Sequence, residues 1–324
     1  MQACTACQGC PHCTHRWQQI RIPDHRARRV YGGYRRFLPM NSPWRRKSFR
    51  WNGHVYYFKD VERRNWSKPR TMRTFKECVA HITKSPFCGH KGPPLRSLWT
   101  AFDPRRSMCD IMHDLKCACE CVLKGLVGYG KHGMYQSWKK DSRHRRECIA
   151  LDMFPEVHDD DSPLPWRLTR EELHIVNKRI CDMWWPHYTH KLAKHGASFF
   201  VKSCRCWKCR DKLEILMVIL PTCLRDFVPA VHQALLELAF ALRRLEGQVV
   251  SSAEAKRLGI MPGSRVVDKK TISAAHRDLI RSLVLLEGSF PVSHLNPALH
   301  HLVHYGTQTA AFGSLRYTLF SIYT

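Results

Sequence analysis

Four cysteines at a constant interval of three open the chain: Cys4, Cys7, Cys10 and Cys13. Two thiolates at that spacing on a tight turn can grip one tetrahedral metal ion, and the tract Cys10-Pro-His-Cys13 has the form of a zinc knuckle. A closed site needs two more ligands from elsewhere. Asp110-Ile-Met-His113 offers a candidate pair, because positions i and i+3 share one helix face, and Asp114 joins the same face. That face could hold a divalent cation or complete the Cys10–Cys13 pair. Acidic residues in a first helical turn also serve simply to complement the helix dipole. A third candidate is Cys204, Cys206 and Cys209, set in the basic run KSCRCWKCR, where cationic neighbours favour thiolates. Cys117, Cys119 and Cys121 point to different faces of one helix and read as core thiols. His300, His301 and His304 form a histidine cluster that could bind metal, but beside Leu302 and Val303 packing or surface roles are the expectation.

The second chemistry is electrostatic. The 324 residues carry 53 Lys and Arg against 27 Asp and Glu, a formal charge of +26. Residues 1–100 hold 21 basic and 4 acidic side chains, so +17 of that charge lies in the first third. Such an excess suits a polyanion, since each neutralised phosphate releases condensed counterion. Within it, Tyr34-Arg35-Arg36-Phe37 and Trp44-Arg45-Arg46-Lys47, followed by Trp51, interleave rings for stacking with charges for phosphate. These are the expected DNA contacts; the alternative is a solvated basic face whose rings belong to the core. No phosphate-binding Gly-rich loop, Gly-x-Ser-x-Gly elbow or dinucleotide fingerprint occurs. The start of the chain has no apolar signal segment, no stretch has the apolar length of a spanning helix, and no membrane partner is expected. Sixteen cysteines in such a chain read as free thiols and metal ligands of a nuclear or cytosolic protein.

The elements that must position these groups can be read from pattern. Asn52-Gly53 between two aromatic runs predicts a hairpin over 49–58. Helices are predicted over 108–126, from the capping box Thr169/Glu172, over 211–220, over 229–245, from Ser251/Glu254 to Gly259, and over 276–286. Thr74 and Glu77 predict a further short helix, and 315–323 is β-prone. Pro221 is expected to stop the apolar block Ile215–Leu220. The architecture expected is α+β and predominantly α. It comprises an irregular Cys-rich basic lobe with a β-hairpin (1–107), a helical domain (108–290) and a C-terminal segment (291–324).

Taken in order, these motifs resemble a known family. Asp110-Ile-Met-His113 is similar to the Asp-x-x-His block of CACTA (En/Spm-like) DNA transposases. Pro163-Leu-Pro-Trp-Arg167, Trp185-Pro-His187, Leu220-Pro-Thr-Cys-Leu-Arg-Asp226, Val228-Pro-Ala230, His294-Leu-Asn-Pro297 and His301-Leu-Val-His-Tyr-Gly306 resemble segments that follow it. Cys10–Cys13, Tyr31–Leu38 and Phe87-Cys-Gly-His-Lys-Gly92 resemble the region upstream. The resemblance implies an RNase H-like transposase whose three acidic residues hold two divalent metals for strand cleavage and joining. It places Cys10, Cys13, Asp110 and His113 in an inserted, zinc-holding element between the second and third acids. It also places the first two acids upstream of Met1 and the third beyond Thr324, so the C-terminus would be an incomplete RNase H-like element.

The expectation is therefore a DNA-associated, zinc-stabilised and catalytically incomplete transposase piece. Magnesium or manganese would enter only with a complete centre. Self-association would run through the edge of the unfinished sheet. Two alternatives are a domesticated, non-enzymatic nucleic-acid-binding protein and a zinc-dependent protein-interaction module.

Overall fold

A computed structural model describes residues 10, 12–13, 18–20, 28–46, 48–57, 111–127, 164–184, 209–249, 251–259, 261, 263–290 and 294–314. The described part is mostly helical, with three small two-stranded antiparallel sheets. β1 (Gln18–Ile20) pairs with β2 (Arg28–Val30), and β3 (Ser48–Trp51) pairs with β4 (His54–Tyr57). Asn52 and Gly53 both have positive φ, 46° and 82°, as the tight turn between β3 and β4 requires. Two short 3-10 turns, Tyr34–Phe37 and Pro43–Arg45, precede the hairpin.

The helices follow the predicted pattern, with the one predicted over 276–286 extended to Lys269–Ser289. They are α1 (Ile111–Val127), α2 (Arg170–Asp182), α3 (Cys209–Glu214), α4 (Leu220–Cys223), α5 (Pro229–Glu246), α6 (Ser252–Leu258), α7 (Lys269–Ser289), α8 (Pro297–His301) and α9 (Tyr305–Phe312). β5 (Gln248–Val249) and β6 (Arg265–Val266) bracket α6. The capping box at Thr169/Glu172 is complete, and Ser251/Glu254 shows the N-cap half of one. Thr169 Oγ1 accepts from the Glu172 N–H at 3.2 Å while the Glu172 carboxylate accepts from the Thr169 N–H at 2.8 Å. Ser251 Oγ accepts from the Glu254 N–H at 3.2 Å, and Gly259 closes α6 at φ 65°.

Pro221 does not stop its helix. It lies inside a continuous run in which the turn Ile215–Ile219 is π-helical and the Leu220 N–H reaches back to the Ile215 carbonyl. Proline has no N–H for the carbonyl four residues earlier and its ring crowds it, so the ladder widens. The carbonyls left over find side chains: Arg243 donates to Met217 O at 3.4 Å, and Thr222 Oγ1 donates to Val218 O at 2.7 Å.

The core is built on the α5–α7 pair. α5 buries Val231, Ala234, Leu235, Leu238, Leu242 and Leu245, the i, i+3, i+4, i+7 stripe of an amphipathic helix. α7 answers with Ala275, Leu279, Leu283 and Leu286. From Ser282 to Phe290 every residue is buried, because the N-terminal turns cover the end of α7 as well. One buried cluster runs from Tyr34, Leu38, Trp44 and Tyr56 through α1, α2 and the α5–α7 pair to Tyr305. It crosses the boundaries expected near 107 and 290. α3 is tied to α1 by an ion pair between the buried Lys212 and Glu120.

Among the described residues, no helix is long and apolar enough to cross a membrane. The expected helix at 74–77 and the β-prone segment 315–323 lie outside the described residues.

Candidate metal centre

The described parts of the tract before β1 and of the chain after α7 meet at one buried point. Cys10 Sγ lies 3.1 Å from His304 Nε2, and Cys13 Sγ lies 3.3 Å from His300 Nε2. The four ligand atoms all fall within 4.8 Å of one another, and all four residues are buried. Tetrahedral zinc with two sulfur and two nitrogen ligands sets S···N edges of roughly 3.5 Å from its bond lengths. The group has the composition and spacing to hold a metal ion such as zinc.

Each ligand is placed by local sequence. Asn296 caps α8 by accepting the Leu299 N–H at 2.9 Å, and Pro297 fills the first helical position, where its missing N–H costs nothing. The chain then continues through a 3-10 turn, Leu302–His304, into α9. His300 and His304 are four residues apart on this helical path, so both rings face the same side. α9 sits close under α7: a Cβ built on Gly306 would lie 2.7 Å from His276 Cβ, so only glycine fits there without displacement. On the other side, the Cys-x2-Cys spacing turns both thiols to one point.

Three more contacts hold the two ends together. The Tyr31 N–H donates to Leu295 O at 2.9 Å. The Glu287 carboxylate accepts from the backbone N–H groups of Gly33 at 2.6 Å and Tyr34 at 2.8 Å. Tyr31 stacks on His300 with centroids 5.3 Å apart, Phe37 approaches the same ring at 6.1 Å, and His12 lies 5.1 Å from His304. The centre is thus walled by aromatic rings.

The electrostatics favour the metal-ready protonation state. Burial pushes the Cys10 thiol up, but the hydrogen bond with Cys13 and the nearby His304 and His300 outweigh it, leaving Cys10 well below an ordinary thiol. Burial pushes His300 down to about 4, so its imidazole stays neutral at pH 7. His12 falls to about 4 for the same reason, helped by His304. A buried thiolate lacking a cation is costly, and a bound divalent ion removes that cost.

The histidine pair is buried, as the packing alternative for this cluster expected, and not at the surface. It could supply the two ligands that the Cys pair lacks, for which Asp110, His113 and Asp114 were candidates. Asp110 lies outside the described residues. His113 is exposed on α1, with its Nε2 3.4 Å from Cys117 Sγ. Asp114 is buried and accepts from His301 Nδ1 at 2.9 Å, beside the centre but not in it. Burial works to lower His301, and the Asp114 carboxylate overrides it, so His301 is raised. Cys4, Cys7, Cys204 and Cys206 lie outside the described residues, and Cys209 opens α3. Cys119 and Cys121 are core thiols as expected, whereas Cys117 is only half-buried.

The residues expected to contact DNA are mostly buried. Arg35, Arg36, Trp44 and Arg45 are 1%, 3%, 9% and 9% exposed. Arg45 Nη1 donates to the carbonyls of Leu38 at 3.0 Å, Arg35 at 3.3 Å and Arg36 at 3.4 Å. Arg35 Nη1 returns to Arg45 O at 3.3 Å and also to Arg46 O. These guanidiniums satisfy the carbonyls of two tight turns, which have no sheet partners of their own. Trp44 stacks on Phe49 at 4.7 Å and meets Trp51 edge-on at 4.8 Å. Arg46 is exposed, and Lys47 lies outside the described residues.

The signal that sequence reasoning passed over was the i, i+4 spacing of His300 and His304, the helical counterpart of Cys-x2-Cys. Among known proteins, no family model, no curated protein and no solved structure matches the chain.

Proposed function

We propose that this chain is a zinc-stabilised, DNA-associated protein derived from a CACTA-type transposase. The observation that carries the reading is the convergence of Cys10 and Cys13 with His300 and His304. The Cys pair opens the ordered set and His304 belongs to its last motif, while His300 lies just before that motif. The two histidines stand where the resemblance implied Asp110 and His113. The charge of +26 supports a polyanionic partner. The zinc would be structural, since four protein ligands leave no open position for a reacting water. On this reading the chain is the helical, metal-bearing part of an RNase H-like transposase and not its cutting centre. A domesticated DNA-binding role is the same molecule without transposition. The free thiols among the described residues suit a reducing compartment, nucleus or cytosol.

The burial of Arg35, Arg36 and Arg45 favours a second reading, a zinc-dependent protein-interaction module. One set of measurements separates them. Purified protein should carry about one zinc per chain, and Cys13→Ser or His304→Ala should each release most of it. Zinc-loaded protein should bind duplex DNA with affinity that falls steeply as salt rises. Zinc without DNA binding would select the interaction module. Less than a tenth of a zinc per chain in the unmutated protein would overturn both.

A further inference from the structure

The outward face of α7 carries a row of cations that the metal centre does not use. Lys270, Arg277 and Arg281 are exposed, while Ala275, Leu279 and Leu283 on the opposite side are buried. Spacings of seven and four residues bring the three to one helix face, and at 1.5 Å per residue the row is about 16 Å long. The carboxylates nearest in sequence are already committed. Asp278 is paired with Arg244, and Asp268 accepts the Thr271 N–H at 2.8 Å as the helix cap. Glu287 lies buried under Gly33 and Tyr34. None of the three cations makes an ion pair among the described residues.

The row also has a fixed end. The Arg281 guanidinium lies 5.7 Å from the centre of the Trp44 ring, and Trp44 is locked between Phe49 and Trp51. The exposed Arg46 follows two residues after Trp44. The buried arginines tie the two 3-10 turns to each other, and the Trp44–Arg281 contact sets the second turn, with Arg46 just after it, beside α7.

We infer that this row, Lys270–Arg277–Arg281 continued by Arg46, is the surface on which the phosphate backbone of duplex DNA lies. The inference rests on the DNA reading given above and locates it. A length of about 16 Å spans about five phosphates of one strand at 3.4 Å each, enough for each cation to meet its own phosphate. The position differs from the one the sequence suggested: the Arg35–Arg45 stretch supports the surface from beneath, and α7 supplies most of it.

The test uses zinc-loaded full-length protein and a fluorescently labelled 20-base-pair duplex, with binding followed by anisotropy over a salt series. Arg277→Glu/Arg281→Glu is compared with Arg170→Glu/Lys178→Glu, an exposed pair on α2 that changes the net charge equally. Far-UV circular dichroism and zinc content establish that each variant is folded. If the α7 pair does not fold, Arg277→Gln/Arg281→Gln takes its place. The α7 variant should bind at least about tenfold more weakly. Its slope of log affinity against log salt should shrink by about 2, near 0.9 for each phosphate no longer neutralised. The α2 variant should change less than about threefold. Equal losses in both variants would overturn the inference while leaving DNA binding in place. Absence of salt-dependent binding by the unmutated protein would remove the DNA reading and the inference with it. Binding to phosphatidylserine vesicles that is lost in the α7 variant, with DNA binding unchanged, would assign the row to a lipid surface instead.

Discussion

At the scale of single residues, the centre depends on protonation states that burial imposes. His12 and His300 are held near 4, and His276 is also lowered by burial, with His304 adding to the effect. An unfolded chain binds protons at these histidines near pH 6.5, whereas in the folded chain His12 and His300 resist until about pH 4. Protons therefore favour the unfolded state through that window. His301, raised against its burial by Asp114, acts with the opposite sign but alone. For metal-free protein, the urea midpoint should fall as pH drops from 7 to 5, with a slope approaching about 1.4 kcal/mol per pH unit for each additional proton bound by the unfolded chain. A midpoint that stays level or rises over that range would contradict this account. The sequence made half of the centre legible. Cys10 and Cys13 declare themselves because three-residue thiol spacing has few other uses. His300 and His304 sit among Leu299, Leu302 and Val303, where a helix with a buried apolar face looks the same with or without a metal.

At the scale of elements, Glu287 and Gly306 join parts distant in the chain, and each can be changed alone. Glu287→Gln keeps the size but turns part of the group into a donor facing the N–H groups of Gly33 and Tyr34. Loss of a charge-assisted pair of this kind costs about 1.5–3 kcal/mol. The expected result is a lower denaturation midpoint together with faster protease cleavage near residues 31–46. Gly306→Ala forces a methyl group against His276 Cβ, within the backbone-proximal part of α7, where little can give way. Overpacking of this type costs about 1–3 kcal/mol, measurable by urea denaturation, and a neutral result would mean that α9 can shift. Capping boxes, the Asn-Gly turn and the amphipathic stripe of α5 were all readable, because each is a local rule acting over a few residues. The π-helical turn at Ile215–Ile219 was not. Proline normally ends a helix, and here Arg243 and Thr222 supply the hydrogen bonds that let it continue, a rescue that depends partly on another helix.

At the scale of the whole molecule, the N-terminal tract and α8–α9 are held to one core by the buried group of Cys10, Cys13, His300 and His304, a backbone hydrogen bond and a buried carboxylate. Chelation of the metal should therefore loosen both ends together. Limited proteolysis after treatment with a zinc chelator should accelerate cleavage near residues 10–46 and near 294–314 in parallel, while the α5–α7 pair stays protected. Cleavage confined to one end would show that the centre is not what joins them. Net charge was the most misleading whole-chain quantity. Its sign points to a polyanionic partner, but its size could not say which arginines face solvent. Arg35 and Arg45 are spent on backbone carbonyls that no strand was available to satisfy.

The sequence separation of 294 between Cys10 and His304 has a consequence for synthesis. At 5–20 residues per second, the thiols emerge from the ribosome about 15–60 s before their histidine partners exist. During that interval Cys10 and Cys13 stand beside Cys4 and Cys7, with the same spacing throughout. Until His300 and His304 have been made, any metal held by Cys10 and Cys13 lacks its two nitrogen ligands, so closure of the centre belongs to a late stage of folding.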